Sequence, residues 1–94
     1  MAEFIELGKY LKKKRVVAGF TQAELATNLG DVHTQFISNW ERGLCAPPSH
    51  CFHELILLLK LNRVDLVEAM LADSKKIIEM KVYQKKAVSK KKAG

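Results

Sequence analysis

The stretch from Phe20 to Gly43 leaves this chain the fewest choices of fold. Thr21 is followed three residues later by Glu24, the spacing of a capping box, in which hydroxyl and carboxylate each take up a backbone N–H that a helix start leaves unpaired. A helix is therefore expected to begin at Gln22. Leu25, Ala26 and Leu29 recur on one face of it, and Gly30 can take the left-handed conformation that ends a helix. After the turn Gly30-Asp31-Val32-His33, Ile37 and Trp40 form a second apolar stripe that Gly43 closes, so a second short helix is expected from about Thr34 to Arg42.

Two short helices joined by a tight glycine turn make a helix-turn-helix. The residues that build it are Thr-Gln-Ala-Glu-Leu-Ala-Thr-Asn-Leu-Gly and then Phe-Ile-Ser-Asn-Trp-Glu-Arg-Gly. They resemble the phage-repressor and Cro type of DNA-binding domain, the lambda repressor-like family. The resemblance spans roughly Leu7 to Leu71. It rests on Thr-Gln in the first helix, Leu-Gly at its end, Ile-Ser-x-x-Glu-Arg-Gly in the second, and Pro-Ser opening the helix after that. In one respect the chain departs from the commonest pattern: it carries one more residue ahead of the second helix, most simply Asp31, an addition expected to tilt that helix. The fold implied is all-α, a five-helix domain over residues 1–72, followed by a Lys-rich extension over 73–94 that is helical or disordered.

Composition agrees with one small domain. A chain of 94 residues, 48% of them hydrophobic, can bury one core and no more. The net charge of +6 favours an acidic partner, and its placement says more than its sum. Residues 1–72 hold eight Lys plus Arg against eight acids, whereas residues 73–94 hold eight Lys against two. Neither terminus reads as a secretory signal, and no run approaches the roughly 20 apolar residues that span a bilayer. With only two cysteines, a reducing, cytoplasmic and nucleoid-associated setting with free thiols is expected. There is no glycine-rich phosphate loop, nucleophile elbow or spaced carboxylate pair, so an enzyme is not expected.

Ahead of the motif, Phe4, Leu7, Leu11, Val16, Val17 and Ala18 are spaced for a helix from about Phe4 to Val17 that buries one side, with Lys9, Lys12, Lys13 and Lys14 on the other. The resemblance pairs Arg15 of this helix with Glu41 as a structural ion pair. Behind the motif, Pro47-Pro48 stops any helix, Ser49 is the expected cap of a helix from His50 to Lys60, and Asn62 ends it. Asp65 with Glu68 then repeats the cap-and-acid spacing, placing a fifth helix at about Leu66. No glycine or proline interrupts the chain from Ser49 to Ala93, so that helix can run past Leu71. Met70, Ile77, Met80, Gln84 and Ala87, with Asp73 between, approximate a seam for a partner helix; the alternative is that Ile77, Ile78, Val82 and Tyr83 fold back on the domain.

DNA binding needs groups that fit phosphate oxygens and groups that read base edges. Gln35 and Asn39 share one face of the second helix, and both residue types can pair bidentately with adenine; Thr34 can touch a thymine methyl. On the family's pattern Thr34, Gln35 and Asn39 are base-reading positions, Gln22 fixes a phosphate, and Ser38 and Arg42 add backbone contacts. Phe36 is assigned to the core, the alternative being the sugar edge of DNA. Lys85, Lys86, Lys90, Lys91 and Lys92 would supply sequence-independent contacts to phosphate, or serve only as a solubilising end. Cys45, His50, Cys51 and His53 do not fall into the paired spacing of a zinc site, and no metal or other cofactor is expected. The function expected is a sequence-specific, repressor-type transcriptional regulator on double-stranded DNA, a homodimer as in the proteins it resembles. The rivals are an antitoxin that also binds a toxin, an architectural nucleoid protein, and a module that binds only protein.

Overall fold

The computed structural model describes residues 2–83, which form five helices: α1 (Ile5–Ala18), α2 (Gln22–Asn28), α3 (Thr34–Glu41), α4 (Ser49–Leu59) and α5 (Arg63–Val82). Among the described residues there is no strand, so the fold is all-α. Gln84, Ala87 and the lysines at 85, 86, 90, 91 and 92 lie outside the described residues. No described helix is long and apolar enough to cross a membrane.

The helix-turn-helix begins as its local chemistry dictates. The Thr21 hydroxyl accepts from the Glu24 N–H at 3.0 Å, and the Glu24 carboxylate accepts from the Thr21 N–H at 2.9 Å. Leu25, Ala26 and Leu29 then turn into a core completed by Leu7 and Leu11 of α1, Ile37 and Trp40 of α3, Cys51, Leu55 and Leu59 of α4, and Leu61 and Leu66 around the start of α5. The α2–α3 turn carries two successive left-handed residues, Gly30 at φ +88° and Asp31 at φ +60°. Aspartate is one of the few side chains that tolerates this region.

Helix α1 buries a different set from the one its spacing suggests. Val16 and Val17 are exposed, and the inward stripe is Leu7, Leu11 and Arg15 at steps of four. Its start is held by tertiary partners. Phe4 offers no side-chain cap; instead the Phe4 N–H donates to the Gly43 carbonyl at 3.0 Å. The Asp73 carboxylate of α5 accepts from the Glu6 and Leu7 N–H groups at 2.9 and 3.0 Å. Of the four N–H groups that a helix start leaves without intrahelical partners, three are thereby satisfied. Asp73 is thus a cap supplied from elsewhere in the chain, not a seam residue.

Two glycines bring α1 against the end of α3. A Cβ on Gly8 would lie 2.6 Å from both the Trp40 and Glu41 carbonyl oxygens, and one on Gly43 would lie 2.9 Å from the Ile5 nitrogen. Both obstacles are backbone, so no side-chain rotation relieves them.

The boundaries around α4 and α5 correct two sequence expectations. Pro48 sits at the N-cap of α4 without a side-chain bond, and Ser49 is already helical. Lys60, in the left-handed conformation at φ +53°, ends α4. Asn62, read above as an end, is a beginning: its side chain accepts from the Asp65 N–H at 3.0 Å and starts α5 one turn ahead of Leu66. Asn beats Asp65 here because its N–H and carbonyl are also tied to the Tyr10 hydroxyl of α1. From there α5 runs unbroken past Leu71 and Asp73 to Val82.

Candidate nucleic-acid interface

One carboxylate joins the three helices that set the site. Glu41, at the end of α3, accepts from the Arg15 Nε and, at 3.1 Å, from Arg15 Nη2, both on α1. It also accepts from Gln22 Nε2, at the start of α2, at 2.9 Å. Arg15 Nη1 donates to the Phe20 carbonyl at 2.8 Å. The Arg15 and Glu41 side chains are only 10% and 4% exposed, so this pair is a structural fastening and not a surface ornament. Its effect on Gln22 is directional. With one Nε2 hydrogen held by Glu41, the amide nitrogen is fixed in place and keeps its second hydrogen for another acceptor.

The opposite face of α3 is open. Thr34, Gln35 and Arg42 are exposed, Ser38 and Asn39 half-buried, while Ile37 and Trp40 anchor the helix from behind. Gln35, Asn39 and Arg42 are already linked: Arg42 Nη2 donates to Asn39 Oδ1 at 2.8 Å, and Gln35 Nε2 donates to the same oxygen at 2.9 Å. Arginine can only donate. It therefore fixes which way the Asn39 amide faces, and Asn39 in turn fixes Gln35. The outcome is a polarised strip that keeps the Gln35 Oε1 as an acceptor and the Asn39 Nδ2 and the remaining Arg42 N–H groups as donors.

Phe36 is not in the core. It is 48% exposed, with its ring edge-on to His33 at a centroid distance of 5.9 Å and an interplanar angle of 87°. The Ile37 and Trp40 stripe already fills the space behind α3, which leaves Phe36 on the rim of its outer face. The residues that sequence reasoning missed are those whose importance lies in contact with distant backbone, Gly8 and Asp73. A glycine inside an otherwise apolar helix stripe was the available signal for the first.

Among the described residues no group of three or more His, Cys, Asp or Glu side chains is gathered closely enough to hold a metal ion. Cys45 is an exposed free thiol and Cys51 a buried one. Burial, and after it the Glu54 carboxylate, push the Cys51 thiol above its ordinary value.

Residues 11–49 match the family model described as helix-turn-helix. The segment belongs to the Cro and repressor type of helix-turn-helix. No curated protein and no solved structure matches the chain. The matched helix-turn-helix takes in Arg15, Gln22, Glu41 and all of α3; the start of α1 and the whole of α5 lie outside it. The family is one of DNA-binding transcription regulators.

Proposed function

We propose that the protein is a sequence-specific transcriptional regulator of the repressor type, which acts as a homodimer and lays α3 in the major groove of double-stranded DNA. The observation that carries this reading is the oriented strip of Gln35, Asn39 and Arg42 on the open face of α3. Side chains held to one another before DNA arrives have less conformational freedom to lose on binding. The strip also refines the chemistry. Bidentate pairing of an amide with adenine needs its oxygen and its nitrogen together, but here Asn39 Oδ1 already has two donors. Gln35 Oε1 then suits the exocyclic amine of adenine or cytosine, and Asn39 Nδ2 suits an acceptor such as guanine O6 or N7 or thymine O4. Thr34 and the Phe36 ring offer apolar surface for a thymine methyl.

Ser38, Arg42 and the remaining Nε2 hydrogen of Gln22 are the proposed phosphate contacts of the helix-turn-helix. The residues to Ala72 carry no net charge by count, so sequence-independent affinity falls to the Lys-rich end that includes Lys85, Lys86, Lys90, Lys91 and Lys92. Each phosphate neutralised there adds about −0.9 to the slope of log affinity on log salt.

Selection of bound sequences from a random duplex pool tests the reading. A pseudo-palindrome is expected, with half-sites about one DNA turn apart, and Gln35→Ala or Asn39→Ala should each lose about 1–3 kcal/mol of discrimination at one position. Retained DNA with no motif would mean that an architectural protein had been mistaken for a regulator. No retained DNA would leave a module that binds protein alone.

A further inference from the structure

Helix α5 carries its inward stripe further than α1 can cover. Leu66, Met70, Asp73, Ile77 and Met80 follow one another at steps of four, three, four and three residues, which keeps them within about 80° of arc. The first three lie in the core or against α1. α1, however, begins level with Asp73, whose carboxylate holds its first turn, and α5 goes on for about 13 Å to Val82. Over that length the stripe faces the segment from Ala2 to Ile5, and between the two lies a cavity of about 280 Å³. Ile5, Ile77 and Met80 give it apolar walls, and Lys76 and Lys81 line it from opposite sides of the stripe.

We infer that this cavity binds a small organic anion, a carboxylate on an apolar body, of about eight carbons in all. Size sets the length. The volume is just under the 300 Å³ or so at which ligand pockets begin, and at about 30 Å³ for each non-hydrogen atom, the share of a water in the liquid, it holds nine or ten of them. Charge sets the head group. Lys76 and Lys81 are exposed, and among the described residues neither has a carboxylate within ion-pair distance. Their long stems let the ammonium groups reach over an apolar ligand while the methylenes extend its walls. Two acids also border the cavity, Glu3 and Asp73. Asp73 is only 4% exposed and its two oxygens are taken by the Glu6 and Leu7 N–H groups, at a helix start whose partial positive charge offsets its own. That leaves Glu3 as one acid against two ammonium groups. The chain's own residues 84–94 carry five lysines and no acidic side chain, the wrong charge for this rim. The site uses no residue of α3, so it stands apart from the reading of DNA above.

Titration of the isotope-labelled full chain with sodium octanoate, without DNA and followed by amide NMR shifts, tests this. Saturable shifts centred on residues 2–5 and 73–81 are expected, with Kd on the order of 0.1 mM for so few ligand atoms. Octanol and octylammonium, of the same length, should each bind about tenfold more weakly or worse. Lys76→Glu combined with Lys81→Glu should lower octanoate affinity about tenfold or more and raise that of octylammonium, with an unchanged far-UV circular dichroism spectrum, since both residues lie outside the core. Met80→Ser, which removes an apolar wall, should weaken octanoate about threefold to tenfold. Shifts that do not saturate, or that centre elsewhere, overturn the site. Octanol bound as tightly as octanoate, or indifference to the lysine reversal, overturns the anion, and octylammonium bound more tightly would give the site to Glu3 instead. Contacts from Val88 to Met80 before octanoate is added would make the chain's own end the occupant, and affinity that falls with protein concentration would make it a second copy; either overturns the inference.

Discussion

Replacing Glu41 with alanine should come close to unfolding the protein. The carboxylate accepts three hydrogen bonds, two from Arg15 and one from Gln22, in a site where it is 4% exposed. Without it the Arg15 guanidinium stays buried with the Phe20 carbonyl as its remaining partner. Removing one member of a buried ion pair costs about 3–5 kcal/mol. Three hydrogen bonds to a charged group, at the lower end of about 1.5 kcal/mol each, arrive at a similar figure. A loss of about 4 kcal/mol is a large part of the stability of a domain this size, and at about 4–8 °C per kcal/mol it lowers Tm by roughly 16–32 °C. Thermal and urea unfolding followed by circular dichroism measure it. The informative comparison is the double substitution Arg15→Met with Glu41→Leu. Buried pairs replaced by apolar groups of similar volume are often neutral or better, so the double variant should lie within about 1 kcal/mol of wild type. A single variant that loses under about 1 kcal/mol, the range of an exposed pair, would refute the view that this carboxylate fastens three helices.

Gly8→Ala should destabilise by about 1–3 kcal/mol, the usual cost of overpacking, because the added methyl meets two carbonyl oxygens at 2.6 Å; helix propensity alone predicts a gain of about 1 kcal/mol, so the sign of the Tm shift decides. Asp73→Ala removes the acceptor for the Glu6 and Leu7 N–H groups and should cost about 1–2 kcal/mol, with Asp73→Asn intermediate by the same assay. Titration with a thiol reagent in the native state should label Cys45 quickly and Cys51 slowly, both becoming fast in denaturant. Because the folded state holds the Cys51 thiol above its ordinary value, the neutral thiol is favoured on folding. That stability is complete below the unfolded value and declines as pH rises through the folded one. A Cys51→Ala variant should show a shallower fall in stability on the alkaline side.

The legible parts of this fold were those written in neighbouring residues. Thr21 and Glu24 announce the start of α2 because both halves of the box lie within one turn, and Gly30 and Gly43 mark where helices stop. Where two local signals compete, the sequence misleads: Asn62 and Asp65 can both cap, and a tertiary bond to Tyr10 decides between them. Nothing local links Asp73 to residues 66 and 67 positions away, or Gly8 to the end of α3. Val16 and Val17 misled because hydrophobicity was read as inward direction, while the buried position on that turn belongs to an arginine with a carboxylate waiting for it. Phe36 misled for the same reason, its place in the core being taken by Ile37 and Trp40. For the candidate interface, residue types on α3 could be read, but the shared oxygen of Asn39 that polarises the strip could not.

The start of α1 meets α5 through the Asp73 cap on Glu6 and Leu7, and at the next residue it meets the end of α3, where Gly8 lies against the Trp40 and Glu41 carbonyls. Backbone forms at least one side of both joints, which leaves little play from side-chain rotamers. α1 is in effect a strut of set length between α5 and the helix proposed to meet DNA. Each α3 then moves as one body with the rest of its domain, so in the homodimer proposed above a base changed within a half-site weakens one contact, while a base pair inserted between half-sites takes a whole domain off its groove.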